Sequence, residues 1–172
     1  GWRMPKKILF TIGYEGAALN DFLATLAFCQ IGQVIDVRDI PLSRKRGFSK
    51  RALSEALASH GIVSVHLKDL GDPKAGREAA RRGDFAAFRK IYGRQLKSAE
   101  GQAALQSAAK FAAAVPSCLL CFERLFDHCH RSIVANALHE SSGFVIKHIG
   151  VRTGAISFPR KHDHIEREIA LR

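Results

Sequence analysis

The chain alternates short apolar runs with longer segments of helical periodicity, and this alternation limits its fold more than any other feature. Five strand-like runs lie at residues 7–12, 33–38, 62–67, 117–123 and 144–149. The intervals between them carry helical patterns of apolar residues. Strands that are each followed by a crossover helix favour a parallel sheet covered on both faces. We therefore predict an α/β fold, a Rossmann-like three-layer sandwich with a mostly parallel sheet of about five strands.

Two helices can be placed by their apolar stripes and two more by the length of an interval. One stripe begins at Leu19, and a second follows Ser49, whose side chain is a common helix N-cap. The interval from residue 72 to 116 is long enough for at least two helices, around residues 85–96 and 100–114.

The domain organisation follows from length and composition. A chain of 172 residues with 47% apolar content can bury one full core but has little room for two. We predict a single α/β domain over residues 4–150. The remainder, residues 151–172, contains Pro159 and a charged run, and we expect a C-terminal appendage with a short helix.

The charge balance points to an anionic partner. Lys and Arg number 27 against 16 Asp and Glu, which gives a net charge of +11. Such an excess favours binding to nucleic acid or to a phosphorylated small molecule. The plainer interpretation is a basic surface that only keeps the protein in solution.

Cysteine usage and hydropathy indicate the cellular compartment in which the protein works. The four cysteines, at positions 29, 118, 121 and 129, lack the density and spacing of a secreted disulfide framework. No run approaches the roughly 20 apolar residues of a membrane span. We predict a cytoplasmic protein with reduced thiols and no membrane contact; the sequence does not indicate an oligomeric state.

The segment CLLCFERLFDHCHR, residues 118–131, concentrates reactive side chains at a strand-to-helix turn. The two-residue period of a strand places Cys121 and Glu123 on one face. The helical stripe that follows places Cys129 and His130 toward the sheet, near Glu123. We expect Asp127 to cap this helix, so that nearby N–H groups stay free for an anion. Arg131 would then hold a phosphate or carboxylate with its fork of N–H donors.

Three interpretations of this cluster compete. It can be an anion-binding catalytic pocket, a metal site using Cys121, Glu123, Cys129 and His130, or a buried polar network that fixes the fold. The metal site is the least favoured, because Cys121 and Cys129 lack a short knuckle spacing and their two elements would have to converge closely. We therefore predict no metal and no cofactor.

Two earlier loops would meet the cluster at the carboxyl ends of the strands. TIGYEG places Gly13, Tyr14 and Glu15 after the first strand, but it is not a full dinucleotide fingerprint, and a plain tight turn explains it equally well. VIDVRDIPLSRKRGFSK places Asp36 and Arg38 on one face and adds Arg44 in a basic loop. The alternative there is an ordinary Asp–Arg ion pair beside a solvated loop.

These motifs together resemble the family called domain of unknown function 488. The likeness rests on TIGYEG, VIDVRDIPLSRKRGFSK, a strand ending VHLKDLG and CFERLFDHCHRS in this order, and it runs from about Ile8 to Ile149. The resemblance implies a compact Rossmann-like domain and no settled reaction. The polar positions that it implies are Gly13, Tyr14, Glu15, Asp36, Arg38, Ser43, Arg44, Phe48, His66, Cys121, Glu123, Cys129, His130 and Arg131.

Our hypothesis is an enzyme acting on a nucleotide or nucleic-acid substrate. Glu123 would be the general acid or base, Cys129 the nucleophile and His130 a further catalytic group. Substrate binding is assigned to Gly13, Tyr14, Glu15, Asp36, Arg38, Arg44 and Arg131. The alternatives are a noncatalytic nucleic-acid-binding module and a small-molecule phosphate or thiol enzyme.

Overall fold

A five-stranded parallel sheet forms the centre of the fold. The structure, a computed structural model, describes residues 7–154. The sheet order is β3-β2-β4-β1-β5, and every neighbouring pair is parallel. The predicted α/β sandwich is therefore confirmed. The strands are β1 (Ile8–Gly13), β2 (Gln33–Asp36), β3 (Val63–His66), β4 (Ser117–Cys121) and β5 (Val145–His148).

Six α-helices connect the strands in the part of the chain that is described. They are α1 (Leu19–Phe28), α2 (Lys50–Ala58), α3 (Lys74–Arg81), α4 (Phe85–Lys97), α5 (Ala99–Ala114) and α6 (His130–Ser142). The two helices expected between residues 72 and 116 are α4 and α5. Helix α3 precedes them, and its buried residues are small, Gly76 and Ala79.

Two apolar clusters cover the two faces of the sheet. One packs α1 and α2 through Phe22 and Leu53, and the other packs α4 to α6 through residues such as Tyr92. The strand period holds in β4, since Cys118 belongs to the first cluster and Cys121 to the second. These two cysteines therefore lie on opposite faces of the sheet, as the two-residue strand period requires.

Strands β2 and β4 end earlier than predicted, and this positions the candidate site. Strand β2 stops at Asp36 and β4 at Cys121, so that Arg38 and Glu123 lie in the loops that follow. Because β2, β4 and β1 are adjacent, these loops and the one after Gly13 meet above the centre of the sheet.

Two further expectations concern the ends of the chain and membranes. None of the helices within residues 7–154 is long and apolar enough to cross a membrane. The short helix expected in residues 151–172 would fall from residue 155 onward, which lies outside the described residues.

Candidate functional site

A groove of about 620 Å³ lies over the carboxyl ends of β1, β2 and β4. Of the residues that the sequence suggested, it is lined by Tyr14, Arg38, Arg44, Glu123 and His130. Its walls include additional charged residues from other loops and from α3. The complete lining is Tyr14, Gly16, Arg38, Asp39, Ile40, Leu42, Ser43, Arg44, Lys45, Asp72, Arg77, Arg81, Cys121, Phe122, Glu123 and His130.

A buried ion pair closes one end of the groove. Arg38 is 6% exposed and forms two hydrogen bonds to the Asp36 carboxylate, from Nε at 2.9 Å and from Nη2 at 2.7 Å. Its Nη1 donates to the Tyr14 hydroxyl at 3.1 Å and to the Phe48 carbonyl at 2.6 Å. The Tyr14 and Phe48 rings stack with centroids 4.4 Å apart. The Arg38 guanidinium therefore orients the loop through Asp36, Tyr14 and the Phe48 carbonyl, while Arg38 also lines the groove.

Arg131 holds the β4–α6 turn together from inside. Its side chain is completely buried, and Nε donates to Thr11 Oγ1 at 3.0 Å. Nη1 donates to Cys121 Sγ at 2.9 Å and to the Glu123 carbonyl at 2.5 Å. The sequence suggested that Arg131 binds a ligand's phosphate. Its burial and its contacts indicate instead that it stabilises the β4–α6 turn beneath the groove.

Helix α6 has a different N-cap from the one that the sequence predicted. A turn of 3-10 helix over Phe126–His128 precedes it, and Cys129 is the N-cap, with its Sγ accepting from the Arg131 N–H at 3.4 Å. The expectation that Asp127 caps this helix is therefore wrong. The Cys129 N–H also donates to the Phe126 carbonyl, so the amides of Cys129 and Arg131 already have acceptors.

Two thiols meet beneath the groove. Cys121 Sγ and Cys129 Sγ lie 2.7 Å apart, and Cys129 is 2% exposed. Burial, followed by the contact with Cys121, raises the pKa of the Cys129 thiol well above its ordinary value. A thiol is a weak nucleophile compared with its thiolate, so this environment opposes the role in attack that the sequence suggested for Cys129.

His130 is fixed by a backbone carbonyl. Its Nε2 lies 2.6 Å from the Val37 oxygen, which can only accept, so Nε2 carries the proton and Nδ1 is the acceptor in the neutral ring. Nδ1 lies 3.5 Å from Cys129 Sγ. Burial lowers the pKa of His130, with the Val37 hydrogen bond acting in the opposite direction. The neutral ring is therefore favoured.

Gly13 and Glu15 have structural partners. A Cβ at position 13 would overlap the Glu123 carbonyl, so glycine allows β1 and the loop after β4 to approach closely. The Glu15 carboxylate accepts from the Arg124 N–H at 3.0 Å. Both residues therefore position the loop after β4, and neither of them lines the groove.

Asp72 is a groove residue that the sequence did not single out. It is 5% exposed, and its Oδ1 is buried against Gly76 without a hydrogen-bond partner among the described residues. Burial raises its pKa from 3.8 to about 7; Arg77 opposes this shift, while Glu123 and Asp39 add to it. The sequence did place Asp72 after the third strand, in VHLKDLGD. Its burial, however, depends on α3.

The rim of the groove carries exposed cations. Arg44 and Arg81 are exposed and Lys45 is half-buried, and their side chains form no hydrogen bond or ion pair with residues 7–154. Ser49 precedes α2 as expected, but its hydroxyl bonds to the Ser43 backbone and closes the basic loop instead of capping the helix.

A set of metal-ligand atoms is assembled below this rim. One atom each of Cys121, Glu123 and Cys129 lies within 4.8 Å of the other two. The two elements therefore do converge, which answers one of the two objections that the sequence raised against a metal; the lack of a short knuckle spacing between Cys121 and Cys129 is the other.

The comparisons with known proteins place the chain in one family. A family model described as a domain of unknown function, DUF488, matches residues 18–138. The chain belongs to the DUF488 family. The match covers Asp36, Asp72 and the whole β4–α6 turn, while Gly13 and Tyr14 precede it. No curated protein and no solved structure matched.

Proposed function

We propose that this chain is an enzyme that acts on a nucleotide or nucleic-acid substrate bound in the groove. The observation that carries the proposal is a buried carboxyl group in the wall of a groove whose rim presents exposed cations: one oxygen of Asp72 has no hydrogen-bond partner within residues 7–154. The cations would bind phosphate, and Asp72 would transfer a proton at the reacting bond.

The rim provides the phosphate contacts. Arg44, Lys45 and Arg81 line the groove, and no carboxylate within residues 7–154 neutralises them. Arg77 differs, because its Nη1 lies 2.7 Å from Asp39 Oδ2. The three unpaired cations are therefore the groups that a polyanion would contact first.

The size and apolar walls of the groove suit a nucleoside. A volume of about 620 Å³ falls in the range of small-molecule sites. Phe122 is 45% exposed and lies edge-on to Tyr14, with ring centroids 5.4 Å apart. An aromatic face next to cations is the combination that binds a base and its phosphate.

Asp72 is the best candidate for proton transfer. A carboxyl group with a pKa near neutrality can both donate and accept a proton under physiological conditions. Glu123 lines the same groove from the loop after β4, so a second carboxylate is available beside Asp72. A pair of carboxyl groups suits hydrolysis of a glycosidic bond, which is the reaction class we consider first.

The experiment is a product search by mass spectrometry. The purified protein is incubated with single- and double-stranded DNA and RNA oligonucleotides and with free nucleotides, and products are compared between wild type and Asp72→Asn. We expect turnover to fall by about 100-fold or more in Asp72→Asn, with substrate affinity nearly unchanged. Full activity of Asp72→Asn would overturn the assignment.

The remaining outcomes separate the alternatives. Salt-dependent binding of oligonucleotides with no change in their mass would indicate a noncatalytic nucleic-acid-binding module. Thermal stabilisation by free nucleotides or sugar phosphates, without oligonucleotide binding, would indicate a small-molecule phosphate enzyme.

A further inference from the structure

We propose that Cys121, Cys129, Glu123 and His130 form a binding site for a zinc-class divalent metal ion at the floor of the groove. Three of these residues already bring one ligand atom each to within 4.8 Å of the other two. Thiolate sulfur, imidazole nitrogen and carboxylate oxygen are the donors that zinc takes in proteins. The four residues come from the end of β4, the loop after it and the start of α6.

The fourth donor is already oriented. His130 Nε2 donates to the Val37 carbonyl at 2.6 Å, which leaves the lone pair on Nδ1, 3.5 Å from Cys129 Sγ. Histidines that bind metals nearly always donate their other ring N–H to a backbone carbonyl, a carboxylate or water. Nδ1 is thus left as an acceptor beside Cys129, although it does not belong to the group of three ligand atoms that lie within 4.8 Å of one another.

Two donors of Arg131 face the two sulfurs and would stabilise the thiolates that form when a metal ion displaces the thiol protons. Arg131 Nη1 donates to Cys121 Sγ at 2.9 Å, and the Arg131 backbone N–H donates to Cys129 Sγ at 3.4 Å. The buried guanidinium forms no ion pair with a carboxylate in the described chain. A doubly charged ion with two thiolates and one carboxylate carries a single negative charge. Arg131 would balance that charge.

Binding requires one local change. The two sulfurs, 2.7 Å apart, are in hydrogen-bond contact. A tetrahedral ion with metal–sulfur bonds of about 2.3 Å holds its sulfurs about 3.8 Å apart, so the pair must open by about 1 Å. The Cys129 side chain also lines a cavity of about 320 Å³ together with Glu123 and His130, which gives the ion a path of entry.

The inference rests on the proposed function only in its location, because the ion would lie beside the same substrate groove. Once bound to the ion, Glu123 would no longer be free as the second carboxyl group of glycosidic hydrolysis, and proton transfer would be left to Asp72 alone. The two proposals fail separately, since metal binding is measured without a substrate and the activity of Asp72→Asn is measured without reference to metal content.

The test uses Co²⁺ as an optical probe. The full chain is treated with chelator and reductant and is then titrated with Co²⁺. Zn²⁺ is added afterwards, and its affinity is measured from the loss of the Co²⁺ absorption bands. We expect one Co²⁺ per chain, with a sulfur-to-cobalt charge-transfer band and the strong visible bands of tetrahedral coordination. Cys129→Ser should weaken binding by about 100-fold or more, and Glu123→Gln by at least about 10-fold.

Cys118→Ser is the matched control. Cys118 lies in the same strand as Cys121 and is equally buried, but on the opposite face of the sheet. Its substitution should leave the cobalt spectrum and affinity unchanged. Glu123 is only half-buried, so Glu123→Gln is expected to fold and keeps the proposal testable if a cysteine variant does not.

Two results would overturn the proposal. One is a Co²⁺ spectrum without a charge-transfer band in folded protein, or a spectrum that Cys129→Ser and Glu123→Gln leave unchanged. The other is a reduced protein that binds no Co²⁺ and forms a Cys121–Cys129 disulfide on treatment with peroxide.

Discussion

Arg131 and Arg44 carry the same guanidinium group in different surroundings, and the contrast separates the fold from the site. Arg131 is completely buried and donates to Thr11, Cys121 and the Glu123 carbonyl. Arg44 is exposed at the rim, and its side chain has no bonding partner in the described residues. The sequence suggested phosphate binding for both. Burial assigns one to the support of the turn and leaves the other for an anion.

The same division applies to the whole site. The floor, made by Cys121, Cys129, His130 and Arg131, is buried and hydrogen-bonded. The rim, by contrast, contains exposed cations and apolar side chains such as Leu42, which is 72% exposed. Substitutions in the floor should therefore change stability, and substitutions in the rim should change binding.

The largest expected effect is that of Arg131→Ala. Its removal would leave Thr11, Cys121 and the Glu123 carbonyl without their buried donor, and we expect the free energy of unfolding to fall by about 3–5 kcal/mol. Urea unfolding measures this value. Arg44→Ala, by the same assay, should remain within about 0.5 kcal/mol of wild type. Equal losses in the two variants would remove the distinction between floor and rim.

The second prediction concerns the pH dependence of stability at Asp72. Its folded-state pKa is raised to about 7 by burial, by Glu123 and by Asp39, against the effect of Arg77. The folded state therefore holds the proton more tightly than the unfolded state, and stability is lost as pH rises from about 4 through 7. We expect this group to contribute a loss of about 2–4 kcal/mol.

Asp72→Asn removes the titration and isolates this contribution. Urea unfolding of wild type and variant at pH 5 and pH 8 should show that the loss on raising the pH is larger in wild type. Parallel changes in the two proteins would show that Asp72 titrates normally.

A third prediction compares two helical glycines. A Cβ at Gly76 would overlap Asp72 Oδ1, whereas a Cβ at Gly93 meets nothing within 4 Å. We expect Gly76→Ala to cost about 1–3 kcal/mol and to displace Asp72. Gly93→Ala should stabilise α4 by about 0.5–1 kcal/mol. Stabilisation by both substitutions would mean that Asp72 does not pack against α3 in this way.

The smallest effect on stability is expected at the rim. Arg44→Ala and Arg81→Ala remove exposed cations without bonding partners in residues 7–154, so the double variant should unfold within about 1 kcal/mol of wild type. Urea unfolding provides this check before any binding assay. A larger loss would assign these cations to the fold.

Much of the fold could be predicted from the sequence, because strand and helix periods are local properties. The same periods brought Cys121, Glu123, Cys129 and His130 to one place, since a strand and the next helix share a turn. The Asp36–Arg38 pair also followed from the strand period, although β2 ends before Arg38.

The rest depended on contacts between distant segments or on the local form of a turn. Asp72 packs against Gly76, four residues later, but its raised pKa also depends on Glu123 and Asp39, which are 51 and 33 residues away in the chain. The helix N-cap was misplaced because the 3-10 turn over Phe126–His128 delays the start of α6 until after Cys129. The burial of Arg131 depends on Thr11, which is 120 residues earlier in the chain.

The most direct test of the account is a binding titration with labelled single-stranded DNA and RNA at low and near-physiological salt. It compares wild type, the Arg44→Ala/Arg81→Ala double variant and Lys110→Ala, an exposed cation of α5 that does not line the groove. We predict salt-dependent binding that weakens by at least about 10-fold in the double variant and stays unchanged in Lys110→Ala. Binding that all three proteins share equally, or no binding by wild type, would contradict the assignment of the groove as a nucleic-acid site.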